Sequence, residues 1–159
     1  MLTPQPMQEA DYLAIRRLSE SLGRQAAPEL WGAAECQLVI KTSSGELLGW
    51  ARAHWWEPDD PVAPAGYYLG GIEIIRYHQQ RGAARSLSEA RLAWIAQRAP
   101  KAWCVVNVQN TASLALARSL GFEEVARAAR FGTVVFNGGS GVLLSKNLAS
   151  LRGYAQEQV

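Results

Sequence analysis

Apolar positions recur along the chain with two periods, and the switches between them mark out the expected elements. Tyr12, Ile15, Leu18 and Leu22 share one face of a helix expected over 8–22, and Gly23 is a natural stop. Before it, Leu2–Met7 carries Pro4 and Pro6 and is at best an edge strand. Pro28 opens a short helix over 29–34, with Leu30 and Trp31 as its inward anchors. Two strands, 37–41 and 46–55, flank the hairpin turn Thr42-Ser43-Ser44-Gly45. A proline-rich, acidic surface loop fills 57–66.

Tyr67, Tyr68, Leu69, Ile72, Ile74 and Ile75 then suit a buried strand, and the polar run Arg76–Arg81 reads as a turn. Gly82, Ala83 and Ala84 begin a helix with Ala83, Leu87, Ala90 and Trp94 at helical spacing, ending near Arg98 before Pro100. Trp103–Val108 is the next strand, and Asn110 caps a helix with Leu114, Leu116 and Leu120 apolar and Gly121 at its end. Glu123–Phe131 and Val142–Lys146 are the last strands, around a glycine-rich turn over 132–141. A hairpin followed by strand–helix alternation is an α/β (α+β) pattern with a mixed sheet. No linker or internal repeat divides the sequence, so 1–159 reads as a single domain.

Composition narrows the function classes. With 48% hydrophobic and 19% charged residues the chain suits a folded protein with a real core. A net charge of +2, without a basic block, argues against nucleic acid and against an anionic membrane surface. No apolar run reaches the roughly 18 residues of a spanning helix, and the start has no basic-then-apolar leader. Cys36 and Cys104 are distant and lack metal-ligand spacing, and His54 and His78 form no ligand pair with them. Two buried thiols in a reducing cytoplasm are expected, with no metal site.

The chemistry concentrates where the strand Tyr67–Ile75 meets the following helix. Small residues at a helix start let an anion approach the backbone, where N–H groups and the helix dipole favour phosphate. Gln79-x-x-Gly82-x-Ala84 would make such a cradle, with Arg81 and Arg85 adding charge, although an ordinary strand–turn–helix has the same spacing. Further on, 103–125 reads WCVVNVQNTASLALARSLGFEEV, a strand, an Asn-led helix and a closing Gly-Phe. Together these two runs closely resemble the GNAT acetyltransferase superfamily: the first its pyrophosphate-binding pattern, the second its following strand and helix. The resemblance is strongest over 67–125, plausible over 2–56 and looser after Ala126. The absence of a G-x-G-x-x-G turn argues against a dinucleotide-binding domain instead.

The resemblance implies the GNAT fold, a central mixed twisted sheet flanked by helices, whose two central strands splay apart to admit the pantetheine arm of acetyl-CoA. Those strands would be 67–75 and 103–108. It implies acetyl transfer from acetyl-CoA to a primary amine, with a small molecule or peptide as acceptor. Ile72, Glu73 and Ile74 match the segment whose backbone pairs with the pantetheine arm and polarises the thioester carbonyl. Gln79, Gln80, Arg81, Gly82, Ala83 and Ala84 match the pyrophosphate loop. Asn110 matches an asparagine that contacts the cofactor arm, compatibly with capping its helix, and Ser113 could assist. Asn107 points either into the splay or away from it. Glu73 either takes the amine's proton or faces solvent or an arginine, and Tyr67, Tyr68 and His78 are lesser candidates. Trp31 and Phe136 sit in loops that shape the acceptor pocket, and the acidic, aromatic stretch 55–60 either attracts a cationic amine or is a solvated loop. A homodimer paired along a sheet edge or through the last strand is common in this superfamily.

Two positions depart from the pattern. The tyrosine that commonly protonates the leaving thiolate, seven residues after the asparagine, is replaced by Ala117, and a proline after the first strand by Arg76. Ala117 favours an alternative, a GNAT-fold module that binds acyl-CoA without turnover.

Overall fold

Adjacent residues of a strand point to opposite faces of a sheet, and the second strand uses this to hold a helix on each side. Val39 packs with Ile15, Leu18 and Trp50, and its neighbour Ile40 with Leu48, Ala51, Ile74, Ala83 and Leu87. The first set includes the apolar face of helix α1 (Tyr12–Ser21), the second that of helix α2 (Ala83–Ala96). Ile15, Val39 and Leu87 are fully buried, and burial of each such side chain stabilises by about 1.5–3 kcal/mol.

The computed structural model describes residues 2–79, 81–149 and 151. The strands are β1 (Gln5–Pro6), β2 (Cys36–Lys41), β3 (Leu47–Trp56), β4 (Gly66–Ile74), β5 (Lys101–Asn107), β6 (Glu123–Ala128), β7 (Arg130–Phe131), β8 (Val134–Val135) and β9 (Gly141–Asn147); α3 spans Thr111–Ser119. Seven of them hydrogen-bond in the order β1-β2-β3-β4-β5-β9-β6, and β7 and β8 form a separate ribbon. Pairing is antiparallel in β1–β2, β2–β3, β5–β9 and β6–β9, and parallel in β4–β5, where Tyr68 stands opposite Trp103. A parallel pair needs a crossover, which α2 supplies. This is the expected α/β mixed sheet flanked by helices.

By its internal contacts the chain falls into two units, Met1–His54 with Gly70–Arg91 and Trp55–Leu69 with Leu92–Val159. In the first unit α1 follows a short 3₁₀ turn, Glu9–Asp11, where Asp11 Oδ2 accepts the Gln8 N–H at 2.9 Å. The helix expected over 29–34 is only a 3₁₀ turn, Pro28–Leu30. Leu30, expected to point inward, is 80% exposed, because one turn has no second apolar position to anchor it. Trp31 does turn in, its ring 4.6 Å from that of Trp50. Of the expected apolar face of α2, Ala83 and Leu87 are buried and Ala90 and Trp94 half-buried, while Ser88 and Arg91 are buried beside them. Arg91 Nη1 donates to the carbonyls of Arg52 and Gly70, and Nη2 to Ser88 Oγ, which offsets the cost of burying a guanidinium.

In the second unit Tyr68, Phe131, Phe136 and Leu143 form one cluster with Ala63. Phe136 was expected in an acceptor-shaping loop. It follows the β7–β8 ribbon in the loop before β9, its ring edge-on to Phe131 at 5.9 Å within this cluster. Tyr68 donates its hydroxyl to the Pro64 carbonyl at 2.7 Å, and burial, with the nearby Asp60 and Cys104, raises its pKa to about 12. Cys36 and Cys104 are buried and form no disulfide with one another.

Candidate functional site

The end of strand β4 from Gly70, the turn after it and the start of α2 lie in the first unit and carry most of the residues singled out by sequence. Ile72 is half-buried, Glu73 and Ile74 are buried, and the Ile75 N–H extends the β3 pairing by donating to Leu48 O at 2.9 Å. In place of the usual proline, Arg76–His78 forms a 3₁₀ turn. Gln79 then folds back, its Nε2 donating to the Ile74 carbonyl at 3.0 Å, so its side chain splints the end of the strand to the turn. Gln80 lies outside the described residues.

Gly82 has φ +90°, a conformation that L side chains rarely adopt, and a Cβ built there would meet nothing within 4 Å. Glycine is therefore required by the backbone rather than by crowding. The chain turns at this point into α2, with Ser86 N–H bonding Gly82 O at 3.0 Å. The N–H groups of the first helical turn have no intrahelical acceptor. Ala83 is buried, Ala84 half-buried, and Arg81 exposed beside that end. Small inward residues, an open side and a nearby cation are what a phosphate group needs at a helix start.

The second unit holds Asn110 and Ser113. Asn110 is the N-cap of α3, its Oδ1 accepting the Ser113 N–H at 3.1 Å. The Asn107 side chain ties the end of β5 to two turns: Oδ1 accepts from Gln109 N at 2.9 Å, and Nδ2 donates to Asn137 O at 2.7 Å. Ala117 is 7% exposed, packed on the inner face of α3. The helix ends in a Schellman motif, with Phe122 N–H on Ala117 O, Gly121 N–H on Arg118 O, both 3.0 Å, and Gly121 at φ +96°. Phe122, just beyond, is buried.

Among the described residues Glu73 is the most enclosed acidic residue, at 5% exposure. Trp50 Nε1 donates to its Oε1 at 2.8 Å, Ser19 Oγ to its Oε2 at 3.1 Å, and Arg24 Nη1 lies 3.8 Å from Oε2. Sequence reasoning named an arginine as a partner for Glu73 but neither Trp50 nor Ser19. Their one local signal is a serine at position 19 on the apolar face of α1. Beside this network Arg16, Glu20, Arg24, Gln25, Ala26 and Glu29 line a groove of about 650 Å³, bridged by an Arg16–Glu29 ion pair.

His54, read from sequence only as no partner of the cysteines in a metal site, has a buried Nδ1 without a hydrogen-bond partner. Burial lowers its pKa, Arg52 adds to this, and Glu35 opposes it. Arg52 is held by two bonds to Glu35 and lies over the Trp31 ring at 4.8 Å. Tyr67 packs edge-on against Trp55 and Trp94, and His78 is half-buried in the 3₁₀ turn. Among the described residues no group of three His, Cys, Asp or Glu could hold a metal, and no helix is long and apolar enough to cross a membrane.

Comparison with known proteins adds a family. The family model described as Acetyltransferase (GNAT) family matches residues 7–122. No curated protein sequence matches significantly. Among solved structures, the ribosomal-protein-S18-alanine N-acetyltransferase of Escherichia coli superposes with a TM-score of 0.72 at 18% identity, covering 92% of this chain and 94% of that one. A spermidine N-acetyltransferase mutant from Vibrio cholerae gives 0.72 at 16% identity, covering 97% and 98%. A phosphinothricin acetyltransferase from Sinorhizobium meliloti, in complex with AcCoA, gives 0.71 at 15% identity, covering 92% and 88%.

Proposed function

The chain belongs to the acetyltransferase (GNAT) family, and from that premise we propose that it transfers an acetyl group from acetyl-CoA to the primary amine of an acceptor. The observation that carries this reading is the start of α2, where Gly82 holds φ +90° with open space on its side-chain side. The backbone can there approach a pyrophosphate, with Arg81 adding positive charge. Gln79, Gln80, Ala83 and Ala84 complete that loop in our reading. The Ile72–Ile74 backbone pairs with the pantetheine arm, and Asn110 and Ser113 contribute further contacts to it. The matched residues 7–122 draw on both units, which supports reading 1–159 as a single domain.

The transfer needs no covalent enzyme intermediate. The amine nitrogen attacks the thioester carbon, the carbonyl oxygen takes up negative charge, and backbone N–H groups along 72–74 stabilise it. The C–S bond then breaks and the amine's proton passes to solvent water. The coenzyme A thiolate leaves and is protonated from solvent, since Ala117 carries no acid. Holding both reactants in line supplies much of the acceleration. Solved relatives described as acting on spermidine and on a ribosomal-protein alanine are consistent with an amine acceptor.

Ala117 also favours a second reading, in which the fold binds acyl-CoA without efficient turnover. Thermal unfolding with acetyl-CoA, coenzyme A and NAD added separately tests the shared step. A ligand that binds only the native state adds about 2.7 kcal/mol at a hundredfold excess over its Kd. A shift with acetyl-CoA but not NAD is expected; no shift with either coenzyme A species would sink both readings. Thiol release from acetyl-CoA with spermidine, ethylamine and an alanine-led tripeptide then separates enzyme from binding module.

A further inference from the structure

We propose that the groove beside α1 takes the acceptor amine and that Glu73 is a positioning residue, whose buried carboxylate anchors the loop after α1 through Ser19 and so shapes that groove, rather than the group that takes the amine's proton. The inference rests on the transfer reading only for what the groove binds; the anchor stands on geometry alone.

Ser19 is fully buried on α1 and joins three parts of the first unit. Its Oγ donates to Glu73 Oε2 at 3.1 Å and accepts the Ala26 N–H at 2.9 Å. Its carbonyl accepts the Arg24 N–H at 2.9 Å. The segment from Arg24 to Ala26, which lines the groove, is thus folded over one serine whose hydroxyl orientation Glu73 sets. A hydroxyl has a single proton, and giving it to the carboxylate leaves its lone pairs to receive Ala26. Arg24 adds a weaker tether, its side chain 63% exposed and 3.8 Å from Oε2. On the other oxygen Trp50 Nε1 fixes the carboxylate, and its ring supports Trp31, just past the groove-lining Glu29. To accept a proton from substrate, Glu73 would have to be uncovered and give up partners that hold the loop.

The test uses the full chain with Glu73→Gln and Ser19→Ala, both conservative in volume. Glutamine keeps an acceptor for Trp50 but puts an amide where Ser19 donates; alanine cuts the link and leaves the carboxylate. The first readout is amide exchange at Ala26, expected about tenfold faster in both variants, with Val39 unchanged. Unchanged Ala26 exchange in Glu73→Gln would overturn the anchor.

The second readout is thiol release from acetyl-CoA with spermidine and with ethylamine. Positioning predicts that both variants raise the KM for spermidine severalfold, affect ethylamine little, and keep the native pH profile of kcat. A proton acceptor predicts instead that Glu73→Gln lowers kcat about a hundredfold or more with both amines and abolishes a limb of the profile, while Ser19→Ala stays near native. That pattern would overturn the proposal. A native protein inactive with both amines would count against the transfer reading, and Ala26 exchange would still decide the anchor.

Discussion

Asp60 Oδ2 accepts the backbone N–H of Gly132 at 2.9 Å, joining two loops 72 residues apart in the chain. Its Oδ1 takes the N–H groups of Val62 and Ala63. These bonds hold the carboxyl below its usual pKa, Ala63 contributing most, then Gly132 and Val62. A depressed pKa means stability that is present above the unfolded value near 4 and lost as pH falls through the folded value. Asp60→Asn, which cannot be charged, is expected to lower the unfolding midpoint at pH 7. The gap to the native protein should narrow as pH falls below the unfolded value near 4, in circular dichroism melts across that range.

Asn110→Ala removes a cap whose acceptor has no substitute, and a loss of about 1 kcal/mol is expected in urea unfolding. Asn110→Asp keeps an acceptor for Ser113 and should hold the midpoint. If the side-chain amide also donates to the cofactor, the aspartate variant still binds acetyl-CoA more weakly by titration calorimetry.

Gly82→Ala meets no atom, so its cost is backbone strain alone, about 1–3 kcal/mol. Relief of that strain moves the start of α2, and the acetyl-CoA Kd should rise along with the fall in melting temperature. A variant destabilised but with native affinity would remove Gly82 from the cofactor site.

Ala117→Tyr places the familiar acid at its familiar position, yet no gain in kcat is expected. The site is buried on the inner face of α3, and a phenol there overpacks it, costing about 1–3 kcal/mol. The melting temperature and thiol release at pH 7 check both halves of this expectation.

The parts of the molecule legible in sequence are those where one local backbone requirement selects one residue type. Gly82 and Gly121 hold positive φ, and Asn110 caps the helix it was expected to open. What escaped was set by distant partners. Glu73 meets Ser19 and Trp50 at separations of 54 and 23 residues, and no periodicity encodes such a meeting. Arg91 interrupts an apolar helix face because β3 and β4 offer it carbonyls there. Phe136 follows the β7–β8 ribbon in a stretch that reads as glycine-rich turn, and only the fold brings its ring edge-on to Phe131.

The closing Gly121-Phe122 pair, which helps to mark the family in the sequence, is a helix terminator followed by a core anchor. Nothing in that geometry depends on a thioester or an amine. A descendant that abandoned catalysis would keep the pair as long as it kept the helix. This half of the signature therefore traces ancestry, and the burden of diagnosing activity in any such sequence falls on the turn before α2.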